Sequence, residues 1–263
     1  MGKALLKAGI YGGCYGLLVQ VFYTIYSLIW PTTNYLGALA LGTGGLVVAI
    51  LYVFGIIQKV EPEAGFGGIL PLIGVPSMIS SRLNAARKQD KKIVIDAFWD
   101  AGKPSMLMLM SSMVVTLVIA RIATNVVGPL GAFPIAPPQH ANVPLEFVFS
   151  FLIMFVLSVF GQVLLMKLKP TFDGVMGILF GLYVAGGVLA CLGLSQLLLA
   201  VGPGGWLASI MGAGEFVFTS VWIGDGTVTF TRLVIFSGLI GSMYMWGALA
   251  AVLRGRMHPD EIN

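Results

Sequence analysis

The sequence predicts an all-α, polytopic bundle of transmembrane helices, arranged as two inverted three-span repeats that each carry a short, broken, re-entrant glycine-rich element. Three observations lead there. Of 263 residues, 57% are hydrophobic and 10% charged, and the mean hydropathy is +0.94, far from the averages of soluble chains. Several apolar runs reach the ~20 residues a spanning helix needs, and none alternates like a barrel strand. Finally, residues 64–81 and 201–221 are apolar and glycine-rich yet too interrupted to cross a bilayer as plain helices. In the first, AGFGGILPLIGVPSMISS, Pro71 and Pro76 remove two N–H donors, while Gly65, Gly67, Gly68 and Gly74 remove Cβ atoms. Broken backbone persists at membrane depth only where it is buried in protein or lines a wet cavity.

Taken in order, span one covers residues 9–30, preceded by Lys3 and Lys7, and span two covers 35–57. Lysines before span one place the N-terminus in the cytoplasm by the positive-inside rule. Its apolar run exceeds a signal-peptide core and carries no clear small-residue cleavage site, so it reads as a retained helix. Arg82, Arg87, Lys88, Lys91, Lys92 and Lys103 make residues 82–104 the most basic segment, hence also cytoplasmic. With both flanks on one side, residues 64–81 must dip in and return. Span three, 105–122, leads to an outer proline-rich loop at 123–144, and span four, 145–166, comes back to Lys167 and Lys169. Span five, 174–200, leads to the second broken stretch with both flanks outside. Span six, 232–253, ends at Arg254 and Arg256 and puts the C-terminus in the cytoplasm.

The chain therefore divides into a membrane repeat at 1–122, the connecting loop at 123–144, and a second repeat with a short basic tail at 145–263. Paired identities accompany this order. Gln20-Val21 matches Gln162-Val163 and Gly44-Gly45 matches Gly186-Gly187; after a four-residue gap, Gly55, Gln58, Gly67 and Gly74 match Gly193, Gln196, Gly205 and Gly212. An odd number of spans per repeat inverts the second copy, an arrangement that in transporters places the site near the midplane.

The segment AGFGGILPLIGVPSM resembles the glycine-rich signature of the stage V sporulation protein A (SpoVA) membrane proteins, with Ala64, Gly65, Gly67, Pro71 and Gly74 at matching positions and Ser77 near the family's small polar residue. The chain looks like two such units fused, with Gly161-Gln162 opening a second family-like span. The resemblance implies a bacterial inner membrane, cytoplasmic or spore, and a conduit for a small organic anion such as dipicolinate, working beside other membrane subunits or by self-association.

No enzyme constellation stands out: His140 and His258 lack partners in the sequence, and neither a metal set nor a cofactor motif is present. The basic residues sit at span ends, so they serve orientation rather than nucleic acid. Asp96 and Asp100 read as a solvated face. Cys14 and Cys191 read as small apolar residues within spans. Glu215 lies inside the second broken stretch, either as a gate, proton site or cation ligand, or as a hydrated residue near the outer surface. Gln20, Gln58, Gln162 and Gln196 either bond a permeant molecule or tie helices together. Gly12, Gly13, Gly44, Gly45, Gly181, Gly186 and Gly187 are close-packing positions, and Trp30, Trp206, Trp222 and Trp246 interfacial anchors, with narrowing of a pathway as the alternative for Trp206 in the second broken stretch.

The expected pathway is lined by Gly65, Gly67, Gly68, Pro71, Gly74, Ser77, Gly205, Gly212, Gly214, Glu215, Gln58 and Gln196. The competing expectation is a non-transporting assembly subunit of a larger membrane complex.

Overall fold

The computed structural model describes all residues except 1, 32, 34, 91–93, 129–141, 224 and 260–263. Twelve α-helices and one 3-10 turn account for nearly all of it, without a β-strand among the described residues. In order they are α1 (Gly2–Ile29), α2 (Leu36–Val53), α3 (Ile56–Ala64), α4 (Phe66–Ile69), the 3-10 turn Leu72–Gly74, α5 (Val75–Asp90), α6 (Val94–Val127), α7 (Val143–Leu168), α8 (Phe172–Cys191), α9 (Leu194–Val201), α10 (Pro203–Ala208), α11 (Ile210–Trp222) and α12 (Gly226–Met257). Among the described residues six segments are long and apolar enough to cross a membrane: Gly2–Ile29, Leu36–Val53, Gly102–Val127, Val143–Leu168, Gly174–Cys191 and Gly226–Met257. The chain is a polytopic helical membrane protein.

Some boundaries differ from the sequence expectation, and the backbone says why. Spans two and five stop early, at Val53 and Cys191, because Gly55 (φ 78°) and Gly193 (φ 74°) take the left-handed conformation that a side chain disfavours. Each span is then followed by a separate short helix, α3 or α9. Most of residues 82–104, expected as a loop, is helical, in α5 and the start of α6. Residues 123–127 extend α6, and the middle of the proline-rich loop, with His140, lies outside the described residues.

The helix α1 packs along α7 through small residues. A Cβ at Gly12 would collide with Ser158, one at Gly13 with Phe151, and one at Gly16 with the Ser150 carbonyl. That axis carries the hairpins. One end of the bundle gathers the start of α1 and the ends of α2, α7 and α12: Lys7 Nζ lies 2.7 Å from Glu63 Oε2, and Arg254 donates to the Val53 carbonyl at 3.0 Å. At the opposite end Trp222 Nε1 donates to the Gly128 carbonyl, and Asp225 caps α12 through the N–H groups of Thr227 and Val228. Around the axis α2 and α5 pack on α12, while α8 and α11 pack on α6.

Candidate functional site

Both broken stretches fold as hairpins that return to the end of the bundle from which they start. The first begins at the Lys7 end, where Gly67 presses on the backbone of Ala8 and Gly12. It turns where Ile73 meets Gly44 and Val19, midway along α2 and α1. The helix α5 then returns to the same end: Ser80 Oγ donates to the Gly247 carbonyl at 2.6 Å, Leu83 packs with Ala251, and Asn84 reaches the Tyr52 hydroxyl. The second stretch enters from the opposite end, with Gly202 and Gly205 against Phe149 and Ser150, and α11 returns there through Trp222.

The two tips cross. Pro71 and Ser209 form an isolated antiparallel bridge, and the Ile210 N–H donates to the Leu70 carbonyl at 3.3 Å. Both residues are extended, Pro71 at φ −69°, ψ 131° and Ser209 at φ −77°, ψ 152°. Proline enforces that break by lacking an N–H. Serine does it by capping: Ser209 Oγ accepts the Gly212 N–H at 3.0 Å. Because α5 and α11 both begin at the tips, their N-terminal ends, each with about half a positive charge, converge on the crossing.

Two glutamines hold the descending limbs. Gln162 Oε1 accepts the Phe66 N–H at 2.8 Å, beside Gly65 at φ 52°. Gln20 Oε1 accepts the Gly204 N–H and Ser150 Oγ, both at 2.8 Å, while its Nε2 donates to Glu146 at 3.1 Å. The repeat match had paired these residues but left their role open between ligand and helix tie; they tie backbone.

The expected pathway residues do not line one shared passage. Gly65, Gly67, Gly205 and Gly214 are packing positions: a Cβ at Gly214 would collide with the Tyr183 carbonyl. Gly74 faces the Gly68 carbonyl and Gly212 the Trp206 carbonyl, so each closes its own hairpin instead of facing the other. Pro71 sits at the crossing. Gly68 and Gly74 border a small cavity, whereas Gln58 and Gln196 lie in α3 and α9, away from the tips. Ser77 Oγ is placed to donate to Glu61 (3.1 Å) or to the Gly74 carbonyl (2.9 Å).

Glu215 is 4% exposed, which removes the hydrated-surface alternative. Its carboxylate accepts from Trp206 Nε1, clipping the two limbs of the second hairpin together. Trp206 is fully buried and is therefore not an interfacial anchor. Arg232 lies nearby, 4.3 Å from the Phe216 ring centroid and bonded to Ser220 and Thr219. Gly181 faces open space, so it is not a close-packing position. Cys14 and Cys191 are free thiols.

Beside the first tip is a cavity of about 20 Å³, bordered by Pro71, Met78, Met108, Met176, Leu179 and Ile210. It has room for about one water molecule and is mostly apolar. Outside the spans, burial pushes Glu61 above the usual carboxylate range despite hydroxyls from Ser77 and Ser81, and the hydrogen bond from Lys7 pulls exposed Glu63 below it. Among the described residues no group of three His, Cys, Asp or Glu side chains is placed to hold a metal.

Compared with known protein families, characterised proteins and solved structures, the chain matches none.

Proposed function

We propose that the chain is a membrane permeation subunit for a small organic anion, gated where the two hairpin tips cross. The observation that carries this reading is the pair of re-entrant hairpins from opposite ends, meeting at Pro71 and Ser209. The two returning helices, of 16 and 13 residues, point their N-terminal ends at that crossing. Two such ends offer positive potential at mid-depth without a buried lysine. In this reading the halves are inverted repeats and the Lys7 end, with both termini, is cytoplasmic. The site is the crossing itself, the lipid bilayer is the setting, and the resemblance of residues 64–77 to the sporulation family names a dipicolinate-like carboxylate as the solute. In this reading the small cavity beside the tips fits a closed state, opened by separation of the tips.

The test is flux of dipicolinate from liposomes carrying the purified protein, alone and with candidate partner subunits. Flux above empty vesicles supports the reading, and none in either case counts against it. A second reading, a non-transporting assembly subunit, draws on the hydrogen-bonded tips and the one-water cavity. It predicts stable purification only with other subunits and a thermal midpoint indifferent to solutes.

A further inference from the structure

Glu61 is a half-buried carboxylate at the Lys7 end of the bundle, and among the described residues it has no cationic partner. Lys7, at the same end of the bundle, is bound to exposed Glu63 instead. Glu61 receives only hydroxyls: Ser77 Oγ on Oε1 and Ser81 Oγ on Oε2, each at 3.1 Å. Its neighbours are short of donors too. Gln58 Nε2 donates to the Tyr52 carbonyl at 2.9 Å, which fixes the amide and leaves Gln58 Oε1 buried and unpartnered. Asn84 Nδ2 donates to the Tyr52 hydroxyl at 3.3 Å, leaving Asn84 Oδ1 buried and unpartnered. Ser81, Asn84 and Gln58 all lie within hydrogen-bonding reach of Tyr52, and Glu61 acts on it electrostatically.

One carboxylate, two orphaned amide oxygens and neighbouring hydroxyls therefore collect on α2, α3 and α5. Every available ligand is a hard oxygen, with neither thiolate nor imidazole, which selects hard cations over transition metals. A single negative charge balances a single positive one. Calcium and magnesium sites usually gather more carboxylates or phosphates. The C-terminal end of α2, at Val53, adds the negative end of a helix dipole.

We propose that Glu61, Gln58, Asn84 and Ser81, with the Tyr52 hydroxyl, form a binding site for a hard monovalent cation, sodium or potassium. The bound ion joins α3 to the returning limb of the first hairpin. Ser77, which shares the Glu61 carboxylate, lies one turn from Gly74 at the tip, so ion occupancy bears on the geometry of the crossing. The site stands whether or not the hairpins conduct.

The experiment uses the purified full-length protein in nanodiscs. Its thermal unfolding midpoint is followed as choline chloride is replaced by sodium chloride or potassium chloride at constant ionic strength and chloride. A saturable rise with sodium or potassium is expected. Glu61→Gln and Asn84→Ala should each weaken the apparent cation affinity by about tenfold or more, while Glu63→Gln keeps it. If Glu61→Gln fails to fold, Asn84→Ala and the unsubstituted protein still decide. A midpoint equal in choline and in both alkali salts, a rise seen only with calcium or magnesium, or a rise that survives Asn84→Ala overturns the assignment.

Discussion

Gln20 and Gln162 each aim a buried side-chain oxygen at the first N–H of a half-helix, Gly204 in one case and Phe66 in the other. Removing either leaves a buried donor unsatisfied, a cost of about 1–3 kcal/mol. Gln20→Ala and Gln162→Ala should therefore lower the thermal midpoint of the purified protein; unchanged midpoints would contradict their role as caps. Glu61 gives a prediction in pH. Its native pKa is raised by burial, so between the ordinary glutamate value and that raised value the native state keeps a proton that the unfolded chain has lost. Stability in choline chloride should fall as pH rises through that window, and Glu61→Gln should remove the fall. Tyr15 and Tyr52 face Glu61, and a phenol does not ionise in a carboxylate's pH window. A slope retained in Glu61→Gln would assign it elsewhere. At this scale the sequence was only partly legible. The glutamines declared themselves by repeat position, but their targets lie 96 and 184 residues away, beyond any local pattern. Glu61 was visible only as a flanking charge, although Ser77 and Ser81, one turn apart on α5, were a readable sign of a polar stripe meeting it.

The hairpins were the more legible objects, because their causes are local. Pro71 cannot continue the ladder of α4, and Gly65 at φ 52° turns the chain into it. The second tip lacks a proline and breaks at Ser209, whose capping bond to Gly212 only the folded chain reveals. In the sequence reading the short helix α9 was absorbed into span five and α3 fell mostly in the charged flank after span two, since apolar content alone does not register a left-handed glycine. The glycines beyond the tips also changed meaning. Gly74 and Gly212 face carbonyls of their own hairpins, Gly68 and Trp206, instead of a shared passage. Gly74→Leu and Gly212→Leu should therefore prevent the hairpins from closing, and even alanine should lower the midpoint. Circular dichroism melts and size-exclusion profiles of the alanine variants provide the measurement; native-like melting would return these positions to the role of passage lining.

At the scale of the whole molecule the two hairpins bond tip to tip at the crossing, so it is where a permeation function and a purely architectural one make different demands. The hydrogen bond from Ile210 to Leu70 flanks Pro71 and Ser209 and makes them a non-hydrogen-bonded antiparallel pair. Such pairs have Cα atoms about 4.5 Å apart, within the range a disulfide spans. In a background lacking Cys14 and Cys191, Pro71→Cys with Ser209→Cys should therefore form a disulfide on mild oxidation, detectable by blocked thiol labelling under denaturing conditions. Failure to form it would place the tips apart in the membrane. If the crossing is the proposed pathway, the cavity beside it, which admits about one water molecule, requires the tips to separate before a carboxylate solute passes. Oxidised double-cysteine protein in liposomes should then show flux reduced to the level of empty vesicles, and reduction should restore it. Flux that persists with the disulfide intact would move the pathway away from the crossing, while a protein that forms the disulfide readily and conducts in neither state would favour the assembly role, with the crossing serving to lock two halves of a scaffold together.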